Sequence, residues 1–378
     1  MAKKVMIVLG TRPEAIKLAP LVLGLKNGPT ELEAAVVTTA QHRELLDQVL
    51  DLFEIRPDHD LRLMRKNQSP QSVLALCLDA LGPVIASEKP DLIVAQGDTT
   101  TTLGAALAAF YHKIPLGHVE AGLRTGERYS PYPEEMNRKV TTAIADLHFA
   151  PTERSRRNLL AEGVAEESVV VTGNTVVDAL LWAREKVRAQ SQGTVRGSIA
   201  EIIGHDRRVV LVTGHRRENF GPGLENVCIG LKRLAERNPG ISIVYPAHLN
   251  PQVQEPVGRI LSNVPNIHAV KPVDYATFVW LMERCHFIIS DSGGIQEEAP
   301  SLGKPVLVTR EVTERPEAVE VGAVKLIGTS ERRLVMESEK LLHDRKSYDS
   351  MVAKTNPFGD GRASERIIEV LARRLGVA

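Results

Sequence analysis

The chain has 378 residues, a length at which one hydrophobic core no longer grows, so we expect two domains. Its 47 lysines and arginines equal its 47 aspartates and glutamates, which excludes a net field that would recruit nucleic acid or an anionic membrane. Aromatic residues make up 4% of the chain and disfavour a stacking surface for single-stranded nucleic acid. We therefore expect no nucleic-acid partner and no membrane partner.

The amino terminus and the cysteines indicate a soluble, cytoplasmic protein. The apolar run at 5–9 stops at the letters GTRP, far short of a signal-peptide core, and we expect no stretch that spans a bilayer. The cysteines are odd in number and lack metal-ligand spacing, which favours a reducing compartment over a disulfide framework. We expect core positions for all of them: Cys77, Cys228 and Cys285.

Short runs rich in valine and isoleucine alternate with longer helix-like segments, which predicts repeated βα units. The first series of runs covers 5–9, 34–38, 92–95, 116–119, 147–150 and 169–171. The second series covers 209–213, 241–245, 267–270, 287–290, 306–309 and 324–327. This alternation predicts an α/β fold with two parallel, doubly wound sheets.

We place the boundary between the two domains near residue 173. Residues 1–172 are then an N-terminal Rossmann-like domain and residues 173–361 a C-terminal one. The charged stretch 180–206 contains the letters QSQG and suits a long helix with a surface connection near this boundary. A turn-rich cluster precedes a predicted helix at 363–375, so we expect residues 362–378 to pack back on the first domain.

The first predicted strand ends in GTRPE, where glycine and proline shape a tight turn into a helix. Arg12 and Lys17 fall about one helical turn apart, so both cations can face the carboxyl edge of the sheet. Phosphate contact and a capped helix with solvated charges are equally good interpretations of this motif alone. Because no G-x-G-x-x-G follows the strand, a nicotinamide or flavin cofactor has little support.

Three carboxylates follow predicted strands or open a predicted helix of the first series. Asp98 lies in QGDTTTT after the strand at 92–95, and Glu120 lies in HVEAGLRT after the next strand. Glu134 opens a helix whose first turn is acidic. Helix capping and dipole compensation are the competing explanations. If the three share one cleft, their mutual repulsion and desolvation raise the pKa of at least one of them. One carboxyl group can then hold a proton while another accepts one, which suits proton abstraction and return.

The second series offers a candidate clamp for a nucleoside diphosphate. The strand at 287–290 runs into Ser292, Gly293 and Gly294, and a helix start after such a turn presents free amides to phosphate oxygens. Taken alone, a Gly-Gly turn more often only reverses the chain. The stretch TGHRREN brings His215 with two arginines to the same kind of edge, which favours phosphate binding over a structural histidine.

Two further residues of the second series are candidates for nucleotide contact. Glu298 lies one turn into the helix after the Gly-Gly turn, where it can accept hydrogen bonds from ribose hydroxyls or merely compensate the helix dipole. Arg315 follows the next strand and is either a phosphate ligand or a surface ion-pair partner.

Nine stretches in this order closely resemble the non-hydrolysing UDP-N-acetylglucosamine 2-epimerases: GTRPEAIKLAP, TTAQHRELLDQVL, QGDTTTT, HVEAGLRT, SPYPEEMNR, TGHRREN, YPAHLNP, SDSGGIQEEAPSLGKPVL and ERPEAV. The resemblance runs from Gly10 to about Gly361. It implies two Rossmann-like domains facing across a cleft, the glycosyltransferase-B type, in a homodimer. It also implies interconversion of UDP-N-acetylglucosamine and UDP-N-acetylmannosamine for cell-envelope polysaccharides, without cofactor or metal.

The resemblance implies a mechanism and a role for each site residue. UDP is eliminated across C1 and C2 to give a bound 2-acetamidoglucal, and it adds back with protonation on the other face of C2. The implied catalytic residues are Asp98, Glu120, Glu134 and His215. Glu298 matches the ribose ligand of the family and Arg315 another residue of its UDP site. Our further candidates for substrate binding, at the diphosphate, are Arg12, Lys17, Ser292, Gly293 and Gly294. Which carboxylate is the base and which is the acid stays open.

Bacterial members of the resembled family are activated by a second molecule of UDP-N-acetylglucosamine. The residues that match this regulatory site are Gln41, His42, Gln68 and His248. Asn67 stands where some relatives carry arginine, which puts the affinity of such a site in question. Alternative functions are a hydrolysing 2-epimerase that releases N-acetylmannosamine and UDP, a retaining nucleotide-sugar glycosyltransferase, and a non-catalytic nucleotide-sugar sensor.

Overall fold

The computed structural model describes residues 2–28, 31–39, 43–63, 68–189, 199–201, 203, 208–214, 216–352 and 355–377, without the side chains of 43–45 and 217. Its first sheet is seven-stranded and parallel. In chain order the strands are β1 (Lys3–Leu9), β2 (Leu32–Thr38), β3 (His59–Asp60), β4 (Leu92–Gln96), β5 (Leu116–Val119), β6 (Leu147–Ala150) and β7 (Val169–Val171). They lie side by side in the order β3-β2-β1-β4-β5-β6-β7.

The second sheet is six-stranded and also parallel. Its strands are β8 (Arg208–Thr213), β9 (Ile241–Pro246), β10 (Ile267–Val270), β11 (Phe287–Ser290), β12 (Val306–Val308) and β13 (Val324–Leu326). They lie in the order β10-β9-β8-β11-β12-β13. The strand order reverses at β1/β4 in one sheet and at β8/β11 in the other, and loops leaving such a pair diverge to open a crevice.

Helices connect the strands, and most begin at a residue whose side chain caps the first turn. Thr11 and Glu14 form a capping box, and Ser69, Thr99 and Asp274 each accept a hydrogen bond from a first-turn amide. The helices of the first part of the chain are α1 (Arg12–Asn27), α2 (Arg43–Leu52), α3 (Pro70–Glu88), α4 (Thr100–Tyr111), α5 (Glu134–Ile144), α6 (Glu153–Ala161) and α7 (Thr175–Ala189). The later ones are α8 (Pro222–Arg237), α9 (Pro251–Leu261), α10 (Tyr275–Arg284), α11 (Gly293–Glu298), α12 (Pro316–Glu320), α13 (Glu331–His343), α14 (Arg345–Met351) and α15 (Ala363–Leu375).

The predicted α/β class with two Rossmann-like sheets is confirmed. Every apolar run expected to be a strand contains one, and the helix expected at 363–375 is α15. The two-residue β3 is an addition that the sequence analysis missed, because so short a strand has no periodicity. The three cysteines are buried free thiols, as expected of core residues.

The chain divides into two compact units. Unit 1 comprises residues 1–182 and 358–378, and unit 2 comprises residues 183–357. The division falls within α7, later than the boundary expected near residue 173, because the start of α7 contributes Val176, Val177 and Leu180 to buried positions. The expected domain limits, 1–172, 173–361 and 362–378, stay a prediction.

The terminal helix α15 packs within unit 1. Asp178 on α7 accepts hydrogen bonds from the amides of Ala363 (3.2 Å) and Ser364 (2.8 Å), so one carboxylate satisfies the first turn of α15. Ile368 lies against Gly24 of α1, where a Cβ would be 2.5 Å from its Cδ1 atom. The close approach explains why α1 carries a glycine in mid-helix despite its cost to helix stability.

Helix α3 is long and apolar enough to cross a bilayer by length and composition alone. The expectation that no stretch meets this criterion was therefore wrong. Its buried positions Val73, Cys77 and Leu81 belong to the core of unit 1, and it packs on α4. The core helix of a globular unit passes the same test of length and composition.

Candidate active site

Four strands of unit 1 end in loops that carry the candidate residues. Asp98 follows β4, Glu120 follows β5, and the start of α1 follows β1. Asn174 follows β7 at the same edge. Because parallel strands point the same way, these loops all leave the carboxyl edge of one sheet, where the strand order reverses between β1 and β4.

Glu120 is the most strongly held of the predicted carboxylates. Its backbone has φ 64°, a left-handed conformation that directs the side chain back over the sheet edge. Lys17 donates to Oε1 over 2.5 Å, Asn174 donates to the same oxygen over 2.9 Å, and Gln96 donates to Oε2. The Glu120 and Lys17 side chains are only 5% and 12% exposed, so this ion pair is largely shielded from water. Lys17, which the sequence analysis assigned to the substrate, therefore lies against a carboxylate.

Asp98 is held by α5. Arg138 pairs with its carboxylate over 2.6 Å, and the side-chain amide of Asn137 donates to its backbone carbonyl over 2.9 Å. The Asp98 side chain is 29% exposed, in contrast to the buried Glu120, so it lies nearer to solvent. His118 supports the same loop through a 2.7 Å contact between Nε2 and the carbonyl of Gly97.

His118 is an uncharged residue that supports the loop after β4. Burial lowers its pKa to about 4, so the ring is uncharged at neutral pH and donates through Nε2. Its Nδ1 atom is buried without a hydrogen-bond partner in the part of the chain that the structure describes. The motif HVEAGLRT contains His118, but the sequence pattern did not predict this role.

Glu14 connects the two loops that bear Arg12 and Asp98. Its Oε2 atom accepts hydrogen bonds from the amides of Gly10 (3.1 Å) and Thr11 (2.6 Å), while its Oε1 atom accepts from the hydroxyl of Thr99 (2.7 Å). Burial raises the pKa of Glu14, and these hydrogen bonds oppose the rise. One carboxylate thereby fixes the starts of both α1 and α4.

Glu134 and Arg12 open α5 and α1, and both are half-buried. Beside Glu134, the fully buried Glu135 accepts hydrogen bonds from the amides of Thr125 (3.1 Å) and Gly126 (3.3 Å). The neighbouring carboxylates of α5 thus differ, because Glu135 holds the preceding loop and Glu134 lies closer to solvent. The sequence pattern of an acidic first turn did not distinguish them.

The side chains that hold the carboxylates were not predicted from the sequence. They are Gln96, Asn137, Arg138 and Asn174. The rule that found Asp98 and Glu120, a polar residue just after a predicted strand, would also have found Asn174 after β7. No local signal marks Arg138, because its contact with Asp98 depends on how α5 packs on α4.

In unit 2 the loops after β8 and β11 meet side by side. Thr213 and Ser290 are paired across the two strands, with hydroxyl oxygens 2.7 Å apart. Asp291 accepts a hydrogen bond from the amide of Arg216 over 2.9 Å, so the carboxylate after β11 holds the loop after β8. Ser290 also accepts from the amide of Ser292 over 2.9 Å and shapes the start of the Gly-Gly turn.

Arg315 lies directly over the Gly-Gly turn. A Cβ on Gly293 would be 3.3 Å from the guanidinium carbon, so glycine leaves just enough room for this cation. Glu297, which is fully buried, accepts from Arg315 Nε over 2.7 Å and fixes the guanidinium in place. Arg315 is therefore a half-buried ion-pair partner at the turn, with its side chain 13% exposed.

Glu298 is also buried, at 6% exposure, and its Oε1 atom accepts a hydrogen bond from the hydroxyl of Tyr275 over 2.6 Å. The alternative of a surface residue that only offsets the helix dipole therefore fails. A Cβ on Gly294 would lie 3.8 Å from the other oxygen, Oε2, so this carboxylate faces the Gly-Gly turn.

Glu314 holds three arginines together. Arg310 donates to it over 2.7 Å and 3.0 Å, Arg216 lies 3.4 Å away and Arg315 lies 3.9 Å away. Burial opposes ionisation of Glu314, but the hydrogen bonds from Arg310 and the charges of the other arginines outweigh it and lower its pKa to about 2.

We expect Glu314→Gln to lower the free energy of unfolding by roughly 3 kcal/mol at neutral pH. Because the folded pKa lies below the unfolded one, this stabilisation is present above about pH 4.5 and is lost as the pH falls toward 2. Urea unfolding between pH 7 and pH 3 should show the two proteins converging. The control is Glu339→Gln, whose partner Arg237 is 62% exposed, and its effect should be small throughout. A difference for Glu314→Gln that stays constant with pH would contradict the assignment.

Several predicted residues lie outside the described residues: His215, Gln41, His42 and Asn67. Two members of the predicted regulatory set are described. The side-chain amide of Gln68 donates to the carbonyl of Leu63 over 3.2 Å in unit 1, and the ring of His248 accepts from the amide of Asn250 over 3.1 Å in unit 2. Across the described ranges, no group of histidine, cysteine, aspartate and glutamate side chains has the arrangement of a metal site.

Comparison with known proteins gives one consistent answer over the whole chain. The family described as UDP-N-acetylglucosamine 2-epimerase matches residues 25–372. The UDP-N-acetylglucosamine 2-epimerase of Salmonella typhimurium is 54% identical over 371 residues, which cover 97% of this chain and 98% of the relative.

Solved structures agree with the sequence relatives. The UDP-GlcNAc 2-epimerase of Neisseria meningitidis bound to UDP-GlcNAc superposes with a TM-score of 0.91 at 49% identity and covers 98% of this chain and 100% of that one. The S. aureus MnaA–UDP co-structure superposes with a TM-score of 0.90 at 45% identity and covers 100% of this chain and 97% of that one. The predicted glycosyltransferase-B type of fold is confirmed by these likenesses. The chain therefore belongs to the UDP-N-acetylglucosamine 2-epimerase family.

Proposed function

We propose that this protein catalyses the reversible C2 epimerisation of UDP-N-acetylglucosamine to UDP-N-acetylmannosamine. The observation that carries the proposal is the buried Glu120, held by Lys17 and Asn174 in a chain whose family is that of UDP-N-acetylglucosamine 2-epimerases. A carboxylate so held is a fixed proton-transfer group, which C2 inversion requires.

The proposed reaction is an elimination followed by an addition. A carboxylate removes the C2 proton while the C1–oxygen bond to UDP breaks, and a C1–C2 double bond forms in bound 2-acetamidoglucal. The C2 hydrogen is weakly acidic because no carbonyl lies beside it, so its removal needs the departure of a stabilised leaving group. UDP then adds back to C1 while a second acid protonates the opposite face of C2.

Asp98, Glu120 and Glu134 are the proposed proton-transfer groups, and they differ in environment. Glu120 is buried against a lysine, whereas Asp98 is partly exposed and paired with Arg138. Two carboxylates in unlike surroundings can hold different protonation states at one pH, as acid and base must. His215 stays a prediction as a fourth catalytic group.

Unit 2 supplies the proposed UDP site. Ser292, whose own amide donates to Ser290, the amides of Gly293 and Gly294, and the guanidinium of Arg315 are proposed to bind the diphosphate. Glu298 is proposed to accept hydrogen bonds from the ribose hydroxyls. Arg12 and Lys17 are proposed to act on the substrate from unit 1.

Incubation with UDP-N-acetylglucosamine in deuterated water, followed by NMR, tests the proposal. We expect UDP-N-acetylmannosamine that carries deuterium at C2, because the second acid exchanges with solvent and delivers a deuteron to the opposite face of C2. Free N-acetylmannosamine with UDP would instead indicate the hydrolysing reaction. No change without an added acceptor would contradict epimerisation and favour the glycosyltransferase or the sensor.

We also propose that the protein works in the cytoplasm as a homodimer. Phe110 and Tyr111, at the end of α4, are 63% and 68% exposed, and neighbouring α3 is apolar along much of its length. Burying such surface against a second copy removes apolar area from water. Light scattering should give twice the 41.4 kDa mass of the chain, and Phe110→Glu should lower it. A monomer mass at micromolar concentration would exclude the dimer.

UDP-N-acetylglucosamine is further proposed as an allosteric activator, on the resemblance at Gln41, His42, Gln68 and His248. The initial rate should then rise sigmoidally with UDP-N-acetylglucosamine, since one molecule activates the turnover of another. A hyperbolic curve, unchanged in His248→Ala, would remove this regulation from the proposal.

A further inference from the structure

Asn174 contacts Glu120 from the end of β7, to which the sequence motifs assign no role. It follows β7, is 2% exposed, and donates from Nδ2 to Glu120 Oε1 over 2.9 Å. We propose that Asn174 is a positioning residue that fixes the Glu120 carboxylate and favours its ionised form. The inference rests on the proposed function, because it assumes that Glu120 exchanges a proton with the substrate.

The Asn174 amide is locked in the orientation that this role needs. Its Oδ1 atom accepts a hydrogen bond from the amide of Val176 over 3.1 Å, which leaves Nδ2 as the group that faces Glu120. Its backbone amide donates to the carbonyl of Phe358 over 2.6 Å. The Asn174 amide group therefore cannot reorient without breaking its hydrogen bonds to Glu120 and Val176.

Phe358, which accepts the backbone hydrogen bond of Asn174, lies where the chain returns to unit 1. It is the residue at which the chain re-enters unit 1 from unit 2. Gly173, at φ 88°, permits the approach, because a Cβ there would lie 3.3 Å from the Cα of Gly359. The amide that holds Glu120 is thus attached directly to the re-entry segment.

The chemistry at Glu120 explains why an amide suits this position. Oε1 also receives the ammonium of Lys17 over 2.5 Å, and Oε2 receives the Gln96 amide. Hydrogen bonds from neutral amides favour the ionised form of Glu120 over the protonated form without adding a charge to the site. An aspartate at 174 would instead place a second carboxylate about 3 Å away, where two like charges share a proton and titrate as a pair.

Other charged groups lie on the elements around Glu120, and they stay the same in an isosteric variant. Two of them are histidines whose pKa values burial lowers. The groups are Lys17 and Glu14 of α1, Asp98 after β4, His118 of β5, Arg138 of α5 and His148 of β6.

The test is the pH profile of kcat for Asn174→Asp. We expect the limb of the profile that Glu120 controls to shift to higher pH by about one unit or more. At a fixed pH on that limb, this shift is about a tenfold change in kcat. Asn158→Asp is the matched control, because its amide donates to the backbone carbonyl of Gly122 over 2.9 Å and not to the carboxylate. Its limbs should stay at the wild-type positions. Unmoved limbs in Asn174→Asp, with a lower kcat, would leave Asn174 a merely structural residue.

A thermal-unfolding cycle tests the contact without using activity. Asn174→Asp should lower the Tm at pH 8, and the loss should shrink by at least half when Glu120→Gln removes the opposing charge. Equal losses in both backgrounds would overturn the inference. If wild type shows no epimerisation, the proposed function fails, yet this cycle still decides whether the two side chains are coupled.

Discussion

Asp98→Asn should reduce kcat about a hundredfold or more, because an amide neither accepts nor returns a proton as a carboxylate does. The substitution keeps the size of the side chain and leaves the carbonyl of residue 98 with its donor, Asn137. Affinity for UDP should change little, since the proposed UDP contacts lie on unit 2. Stopped assays of C2 deuterium incorporation and calorimetry with UDP measure the two quantities.

Asp91→Asn is the matched control for this variant. Asp91 lies just before β4, pairs with Lys3 over 2.8 Å and accepts from the amide of Lys4 over 2.8 Å. It is thus an ion-paired aspartate at the opposite end of the strand that Asp98 follows. The control should keep nearly full turnover. Near-normal turnover in Asp98→Asn as well would remove Asp98 from the mechanism.

Lys17→Met should lower the free energy of unfolding by about 3–5 kcal/mol, because it removes the ammonium group that pairs with the buried Glu120 charge. Turnover should fall about a hundredfold or more, since Glu120 loses the cation that fixes it. The double variant Lys17→Met with Glu120→Gln should be more stable than Lys17→Met alone, because no charge is then stranded. Urea unfolding of the three variants and wild type measures the coupling.

The control for the ion pair is Lys4→Met. Lys4 pairs with Glu88 over 2.8 Å, but the side chains are 31% and 22% exposed, so solvent screens the pair. Its loss should change the free energy of unfolding by less than about 1 kcal/mol. Equal effects of Lys17→Met and Lys4→Met would mean that burial does not strengthen the Lys17–Glu120 pair.

Most strands were predictable because they are buried parallel strands, whose residues are apolar on both faces and form a continuous run. The same rule located the site loops, since polar residues just after such runs lie at one edge of a sheet. Asp98, Glu120 and the Gly-Gly turn were all found in this way. The short β3 was not predicted, because a two-residue strand is too short for a pattern, and the apolar character of α3 was misjudged.

The sequence by itself determined the fold class, the two series of strands, the family resemblance and the strand ends that carry the candidate chemistry. These features depend on the local hydrophobic pattern and on residue type, and both can be read directly from the sequence. Only the tertiary structure decided which partner each group has: Lys17 with Glu120, Arg138 with Asp98, Glu297 with Arg315. Those contacts join residues distant in the chain, and hydrogen-bond geometry and burial exist only after the sheets and helices have packed.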